Sequence, residues 1–173
     1  FLDFVKPPRP VYLCGHSLGA AITLHVTRFF PSYVEGSIIC GGSPKMKVYP
    51  QVLQDLSVGV INPDFIKVAF APVTDPTLSQ PVINSFLQFP PDVFYHDLNS
   101  CDNFDITAEL AEIEKPTLII SARQDRLTPV NHCKKLTVIS NSSFAIIEDA
   151  GHFMIIEKPE AVHSIIANWL QKQ

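Results

Sequence analysis

The chain has 173 residues, 46% of them hydrophobic, and a formal net charge of −4. That length and composition point to one globular domain with a sizeable core. Charges are scattered without a basic stripe, and no apolar run approaches a membrane span, so no nucleic-acid partner, lipid surface or membrane span is expected.

The first residues, Phe1-Leu2-Asp3-Phe4-Val5-Lys6, read as if taken from mid-helix, and prolines follow at 7, 8 and 10. No initiating Met and no charged leader precede the first strand, so the start is expected to be a fragment boundary. Residues 10–16 read as a strand and residues 18–30 as a helix ended by Pro31. Between them lies Gly15-His16-Ser17-Leu18-Gly19, a Gly-x-Ser-x-Gly turn in the strand–turn–helix context of a nucleophile elbow. Such a turn strains its central residue, so Gly15 and Gly19 are expected to be there because a Cβ would clash. Ser17 is then exposed at the carboxyl end of the strand. Its own amide and that of Leu18 are expected to point into the site, where the helix dipole favours negative charge.

Residues 35–43 give a second apolar strand. Neither strand alternates, the pattern of a parallel sheet covered on both faces, and Cys14 and Cys40 within them read as buried free thiols. Cys101 and Cys133 complete the set, and no Cys-x-x-Cys or Cys/His ligand spacing appears, so no metal site is expected. Reduced thiols suit the cytoplasm. Residues 43–98 change character: prolines interrupt short helical pieces such as 50–58 and 63–70, and apolar side chains remain frequent. We read a helical cap or lid with its own small core, inserted between two strands over the reactive face. Its Phe65, Phe70 and Phe86, together with His16 and Phe153, are candidate substrate-pocket residues. The chain has fifteen prolines, most of them in clusters at 7–10, 44–50, 63–91 and 116–129, and they read as punctuation between elements.

Residues 102–113 are expected to return to the sheet layer. Residues 115–129 read as a buried strand followed by a polar loop that carries Asp125. A helix over 129–139 begins with Pro129 in its first turn and Thr128 as N-cap. Residues 143–148 make a further strand, and Asp149-Ala150-Gly151-His152 is the loop after it. An amphipathic helix over 159–171 closes the chain, with Ala161, Val162, Ile165, Ile166, Trp169 and Leu170 at helical spacing.

Strands alternating with helices imply a mostly parallel sheet with helices on both faces, and reactive groups then gather beyond the carboxyl ends of the strands. Ser17, Asp125 and His152 each follow a strand, in the order Ser…Asp…His. Ser17 is the expected nucleophile, His152 its general base and later the acid for the leaving group. Asp125 holds the imidazole tautomer, and the Leu18 amide stabilises the oxyanion. Asp102, Asp105 and Asp149 are rival acids: the first two precede a strand, and Asp149 is too near His152 in sequence. His16 beside the nucleophile is expected to pack sideways. His25, His96, His132 and His163 read as solvated or structural, and Met46, Met154 and Trp169 as packing.

These segments resemble the α/β-hydrolase fold, in the group of small cap-bearing esterases and related hydrolases. The resemblance is carried by Gly-His-Ser-Leu-Gly at 15–19, by Pro-Thr-Leu-Ile-Ile-Ser-Ala-Arg-Gln-Asp-Arg-Leu-Thr-Pro at 116–129, and by Asp-Ala-Gly-His-Phe at 149–153 with Glu-Lys-Pro-Glu at 157–160. It covers nearly the whole chain, least over 43–98. It implies a partial α/β-hydrolase fold, with residues 1–42 and 99–173 as core and 43–98 as cap. It further implies a serine hydrolase acting on a small or medium ester-like substrate through an acyl-enzyme, without a cofactor. The same triad serves thioesterases, lipases, carbon–carbon bond hydrolases, acyltransferases and perhydrolases. A dehalogenase is disfavoured because its nucleophile would be Asp where Ser17 stands. A binding protein on the scaffold and an inert fragment are the readings outside catalysis. Family members carry further strands and a loop with a second oxyanion amide before the nucleophile strand. The chain is therefore expected to be the C-terminal part of a longer enzyme, its sheet completed by a separate N-terminal segment or chain.

Overall fold

The computed structural model describes residues 2–7 and 10–173. Phe1, Pro8 and Arg9 lie outside the described residues, and with them part of the opening segment and of the proline cluster at 7–10. A short helix, Leu2–Val5 (α1), precedes the sheet.

Val11–His16 (β1), Val34–Cys40 (β2), Thr117–Ala122 (β3) and Ser142–Ile147 (β4) form one parallel sheet in the order β1-β2-β3-β4. β3 is buried throughout and β2 everywhere but Glu35, which is why neither shows an apolar–polar alternation. His16 pairs with Cys40, Cys40 with Ile120, and Ala122 with Ile147, so the carboxyl ends of all four strands meet at one rim.

Helix Leu18–Phe29 (α2) covers one face, packing Ala20 and Leu24 on Ile39 and Ile119. Leu24 is fully buried, and Leu24→Ala there would cost about 2–5 kcal/mol. The other face is covered by Met154–Glu157 (α8) and Pro159–Leu170 (α9). Their Met154, Val162 and Trp169 pack on Ile38, Leu118 and Ile120.

Four helices lie between β2 and β3: Pro50–Ser57 (α3), Pro63–Lys67 (α4), Pro76–Leu87 (α5) and Pro91–Asp102 (α6). Each begins on a proline in its first turn, where the missing N–H costs nothing and φ is already helical. The prolines thus start helices as well as separating them. α5 and α6, twelve residues each, are the two helices the sequence pattern did not resolve. Ile66, Phe70 and Ile83 form a small core of their own, with Phe65, Phe86 and Phe153 against it. The chain enters and leaves this layer as an antiparallel pair. Ile106 N–H donates to Pro44 O (2.8 Å), and Met46 N–H donates to Phe104 O (3.2 Å).

Several expectations are corrected. Cys14 is exposed: among the described residues β1 is an edge strand of the sheet, and Trp169 of α9 meets it at Tyr12, edge to face at 5.8 Å. Residues 102–113 do return to the sheet layer, without adding a strand to it. Thr107–Glu112 is a 3₁₀ turn that drops Leu110 into the core, and Ile113 follows it there. The helix expected over 129–139 is a four-residue turn, Val130–Cys133 (α7), continued as a 3₁₀ turn over Lys134–Val138. Pro129 occupies its N-cap position, so Thr128 falls one residue short of capping it, and its hydroxyl donates to Asp125 instead. Among the described residues, no helix is long and apolar enough to cross a membrane.

Candidate active site

Ser17 joins β1 to α2 at φ 55°, ψ −118°, a left-handed conformation that costs a residue with a Cβ about 1–3 kcal/mol. The surrounding elements hold it there. Ser17 N–H donates to Cys40 O (3.1 Å), and Ser17 O accepts from Ala20 (2.9 Å) and Ala21 (3.2 Å). A Cβ on Gly15 would lie 2.0 Å from Gly19 O and 2.5 Å from Thr23 Oγ1, so only glycine fits before the turn. Two expectations change here. A Cβ on Gly19 would meet nothing within 4 Å, so no clash dictates that glycine. The Ser17 amide is also spent in the sheet, which leaves the Leu18 N–H as the amide of this turn without an acceptor among the described residues.

Asp125 and His152 sit on the loops after β3 and β4. Arg123 N–H donates to Ile147 O (2.9 Å) and Gln124 N–H to Ala150 O (3.0 Å), which ties the two loops side by side. Asp125 is 5% exposed. Its Oδ1 accepts from the amides of Leu127 and Thr128, each at 2.8 Å. Its Oδ2 accepts from Thr128 Oγ1 (2.7 Å) and lies 2.9 Å from His152 Nδ1. Burial pushes the carboxyl upward, but the His152 hydrogen bond and charge, with the Thr128 bonds, outweigh it and hold Asp125 below the usual carboxylate range. An ionised carboxylate only accepts, so Nδ1 of His152 is the donor of this bond. Thr128 Oγ1 also reaches Nδ1, at 3.3 Å.

His152 is 3% exposed. Its amide donates to Ala69 O (2.6 Å), and its carbonyl accepts from Nε2 of His16 (2.7 Å). The two imidazoles stand 4.7 Å apart. Burial first, and then the neighbouring His152, push His16 down to about 4, so it is neutral and donates as expected of a sideways packer. The rival acids are elsewhere. Asp102 and Asp105 bind Lys47 and Lys45, and Asp149 is exposed at φ 52°.

Ser17 and His152 share the walls of two adjoining cavities of about 320 Å³ and 250 Å³. No hydrogen bond joins the Ser17 hydroxyl to His152, a contact that often tightens only with substrate in place. Phe65 lines both cavities; His16, Leu18, Phe86 and Phe153 line the smaller. Phe70 lines neither: it is buried behind Phe153, ring centroids 4.8 Å apart, and props that ring.

A family model described as "Alpha/beta hydrolase family" matches residues 1–165. The chain belongs to the alpha/beta hydrolase family. It is similar to the AB hydrolase superfamily protein YisY of Bacillus subtilis, 31% identical over 107 residues, which cover 61% of this chain and 40% of the relative. It is also similar to the mouse monoacylglycerol lipase ABHD6, 23% identical over 94% of this chain and 55% of the relative. The chain thus spans about half the length of these curated relatives. Among solved structures, the enol-lactonase of Burkholderia xenovorans LB400 superposes with a TM-score of 0.90, covering 98% of this chain and 68% of the other; at 17% identity it speaks for the fold alone.

Three supports of this hydrolase-family site were not read from the sequence. Thr128, taken for a helix cap, binds both Asp125 and His152. Gly41, at φ 55°, lies flat beneath the imidazole: a Cβ there would sit 3.3 Å from His152 Cε1 and Nδ1. Glu157, 8% exposed, accepts from Gly151 N–H (3.0 Å), Ala71 N–H (2.9 Å) and the Thr74 hydroxyl. It thereby pins the loop before His152 to the chain that follows α4. A Cβ on Gly151 would lie 2.4 Å from Ala69 O, so this docking needs glycine. The signal available was an acidic residue placed right after Met154-Ile155-Ile156 and just before the Pro159 helix start.

Proposed function

We propose that this chain carries the nucleophile, base and acid of a serine hydrolase acting on ester-like substrates. Ser17 Oγ attacks the substrate carbonyl carbon while His152 Nε2 takes its proton. The Leu18 N–H, at the start of α2, stabilises the oxyanion. The tetrahedral intermediate collapses, the bond from carbonyl carbon to alcohol oxygen breaks, and the imidazolium returns its proton to the departing alcohol. Water, deprotonated by the same imidazole, then attacks the acyl-enzyme; the acid leaves and Ser17 regains its proton. Asp125 keeps the imidazole in the productive tautomer and balances the imidazolium charge. Residues 43–98 act as the cap that shapes the substrate space.

The observation that carries this reading is the buried Asp125–His152 pair at 2.9 Å, facing cavities whose walls include Ser17 at positive φ. The similarity to a relative named a monoacylglycerol lipase agrees with it. The test is steady-state hydrolysis of 4-nitrophenyl butyrate. The reading expects turnover that falls by about 10³-fold or more in Ser17→Ala and in His152→Ala. Turnover that both substitutions leave intact would refute it.

A further inference from the structure

The two cavities that meet at Ser17 and His152 differ in the sign of their walls. The smaller is aromatic. Phe86 stands 5.4 Å from Phe94 and 5.8 Å from Phe153, centroid to centroid, and Phe89 extends the lining. Its one ionised wall residue among those described is Asp97. The larger is lined by Lys45, Lys47 and Arg126, with no carboxylate among its described wall residues.

The three cations are not equivalent. Lys45 is paired with Asp105 at 2.7 Å and Lys47 with Asp102 at 3.4 Å, so each ammonium is largely balanced. Arg126 follows Asp125 directly, on the loop that the Asp125 carboxylate anchors through Leu127 and Thr128. It has no ion pair or hydrogen bond among the described residues, and it is exposed. A fixed loop therefore presents an uncommitted guanidinium to the larger cavity. That group suits a carboxylate, which it binds through two parallel N–H···O bonds. Asp97 repels an anion from the aromatic cavity, and the aromatic rings favour an apolar group there. Attraction on one side and repulsion on the other thus set the same direction of binding.

Resting on the reading of Ser17 as nucleophile, we infer that the substrate is a carboxylate-bearing ester whose scissile carbonyl separates an apolar, aromatic-compatible group in the Phe86–Phe153 cavity from an anionic group held by Arg126. Both parts are small, since each cavity is near or below the lower end of the usual range for ligand pockets, about 300–1,000 Å³.

The test compares acids with their isosteric neutral amides, in both senses of the ester. The first pair is the 3-phenylpropanoyl ester of glycolic acid and that of glycolamide. The second is the 2-phenylethyl monoester of succinic acid and that of succinamic acid. The expected result is a kcat/KM about fivefold or more higher for the acid in one pair, as one charge-assisted contact at an exposed guanidinium implies. In Arg126→Gln that ratio falls to within about twofold of unity, and Arg126→Lys restores part of it. Replacing 3-phenylpropanoyl by acetyl lowers kcat/KM by about tenfold or more. The inference is overturned if the amides are hydrolysed as fast as the acids in both pairs, or if Arg126→Gln keeps the preference; Ser17 would still stand as nucleophile. If none of the esters, 4-nitrophenyl butyrate included, is turned over, the reading of Ser17 fails and takes the inference with it.

Discussion

Glu157 offers a perturbation whose magnitude can be worked from its bonds. Glu157→Gln keeps the volume and turns one acceptor into a donor. Oε1 serves Gly151 alone, whereas Oε2 serves both Ala71 and Thr74. The Thr74 hydroxyl can turn and accept from an amide nitrogen, but the Ala71 N–H cannot. The glutamine therefore settles with its oxygen on Gly151 and its nitrogen toward Ala71 and Thr74, leaving one buried N–H without a partner. An orphaned buried donor costs about 1–3 kcal/mol, and losing the charge from the retained bonds adds about 1 kcal/mol. The sum, about 2–4 kcal/mol, is a large share of the 5–15 kcal/mol typical of a domain. Urea denaturation reads it as a lower midpoint with an unchanged slope. Thr74→Val, which removes one bond and leaves Ala71 paired, is expected to cost only about 1 kcal/mol. A Glu157→Gln shift below about 0.5 kcal/mol, or one smaller than that of Thr74→Val, would refute the clamp.

Asp125→Asn leaves the loop in place but no longer fixes the proton on Nδ1, so kcat is expected to fall by about 10³–10⁴-fold with KM little changed; an unaltered kcat contradicts the assignment. Asp125 also bears on stability against pH. Its folded pKa is depressed, so its contribution is complete above the unfolded carboxylate value of about 3.9 and is lost as pH falls through the folded value; Asp125→Asn should flatten an acid unfolding curve in that window. His16 is depressed to about 4 from 6.5, so the folded state resists its protonation, and this residue makes stability decline as pH falls from about 6.5 toward 4. Proton NMR should find the His16 ring titrating near pH 4, and a midpoint near 6.5 would mean that its bond to the His152 carbonyl does not persist. Gly41→Ala places a Cβ against the imidazole at a left-handed position; a loss of activity of about tenfold or more with about 1–2 kcal/mol of stability is expected, by ester assay and urea titration together.

The parts of the fold that announce themselves in the sequence are those where local and tertiary preferences agree. β2 and β3 show no apolar–polar alternation because both of their faces are covered, and Gly15 marks a turn too tight for a Cβ. Where tertiary structure decides, the sequence misleads. Cys14 lies in an apolar run yet is exposed, since burial depends on a strand's place in the sheet and β1 is an edge among the described residues. Leu110 and Ile113 enter the core from a 3₁₀ turn and the residue after it, a conformation the sequence pattern did not indicate. Thr128 has the chemistry of an N-cap, but the N-cap position falls one residue later, at Pro129, and the Thr128 hydroxyl donates to Asp125. The pairing of Asp125 with His152 is legible as an order of loops along the chain; Glu157 and Gly41 are not, because each acts on a partner that is close only after folding.

Central to this account is a nucleophilic hydroxyl on Ser17, activated by His152. Treatment with a fluorophosphonate ester, digestion and mass spectrometry of the peptide containing residue 17 test it most directly. The account predicts one phosphonyl adduct, located on Ser17, whose formation slows by about 10³-fold in His152→Ala. An unmodified Ser17, or labelling that proceeds at the same rate without the imidazole, would contradict it.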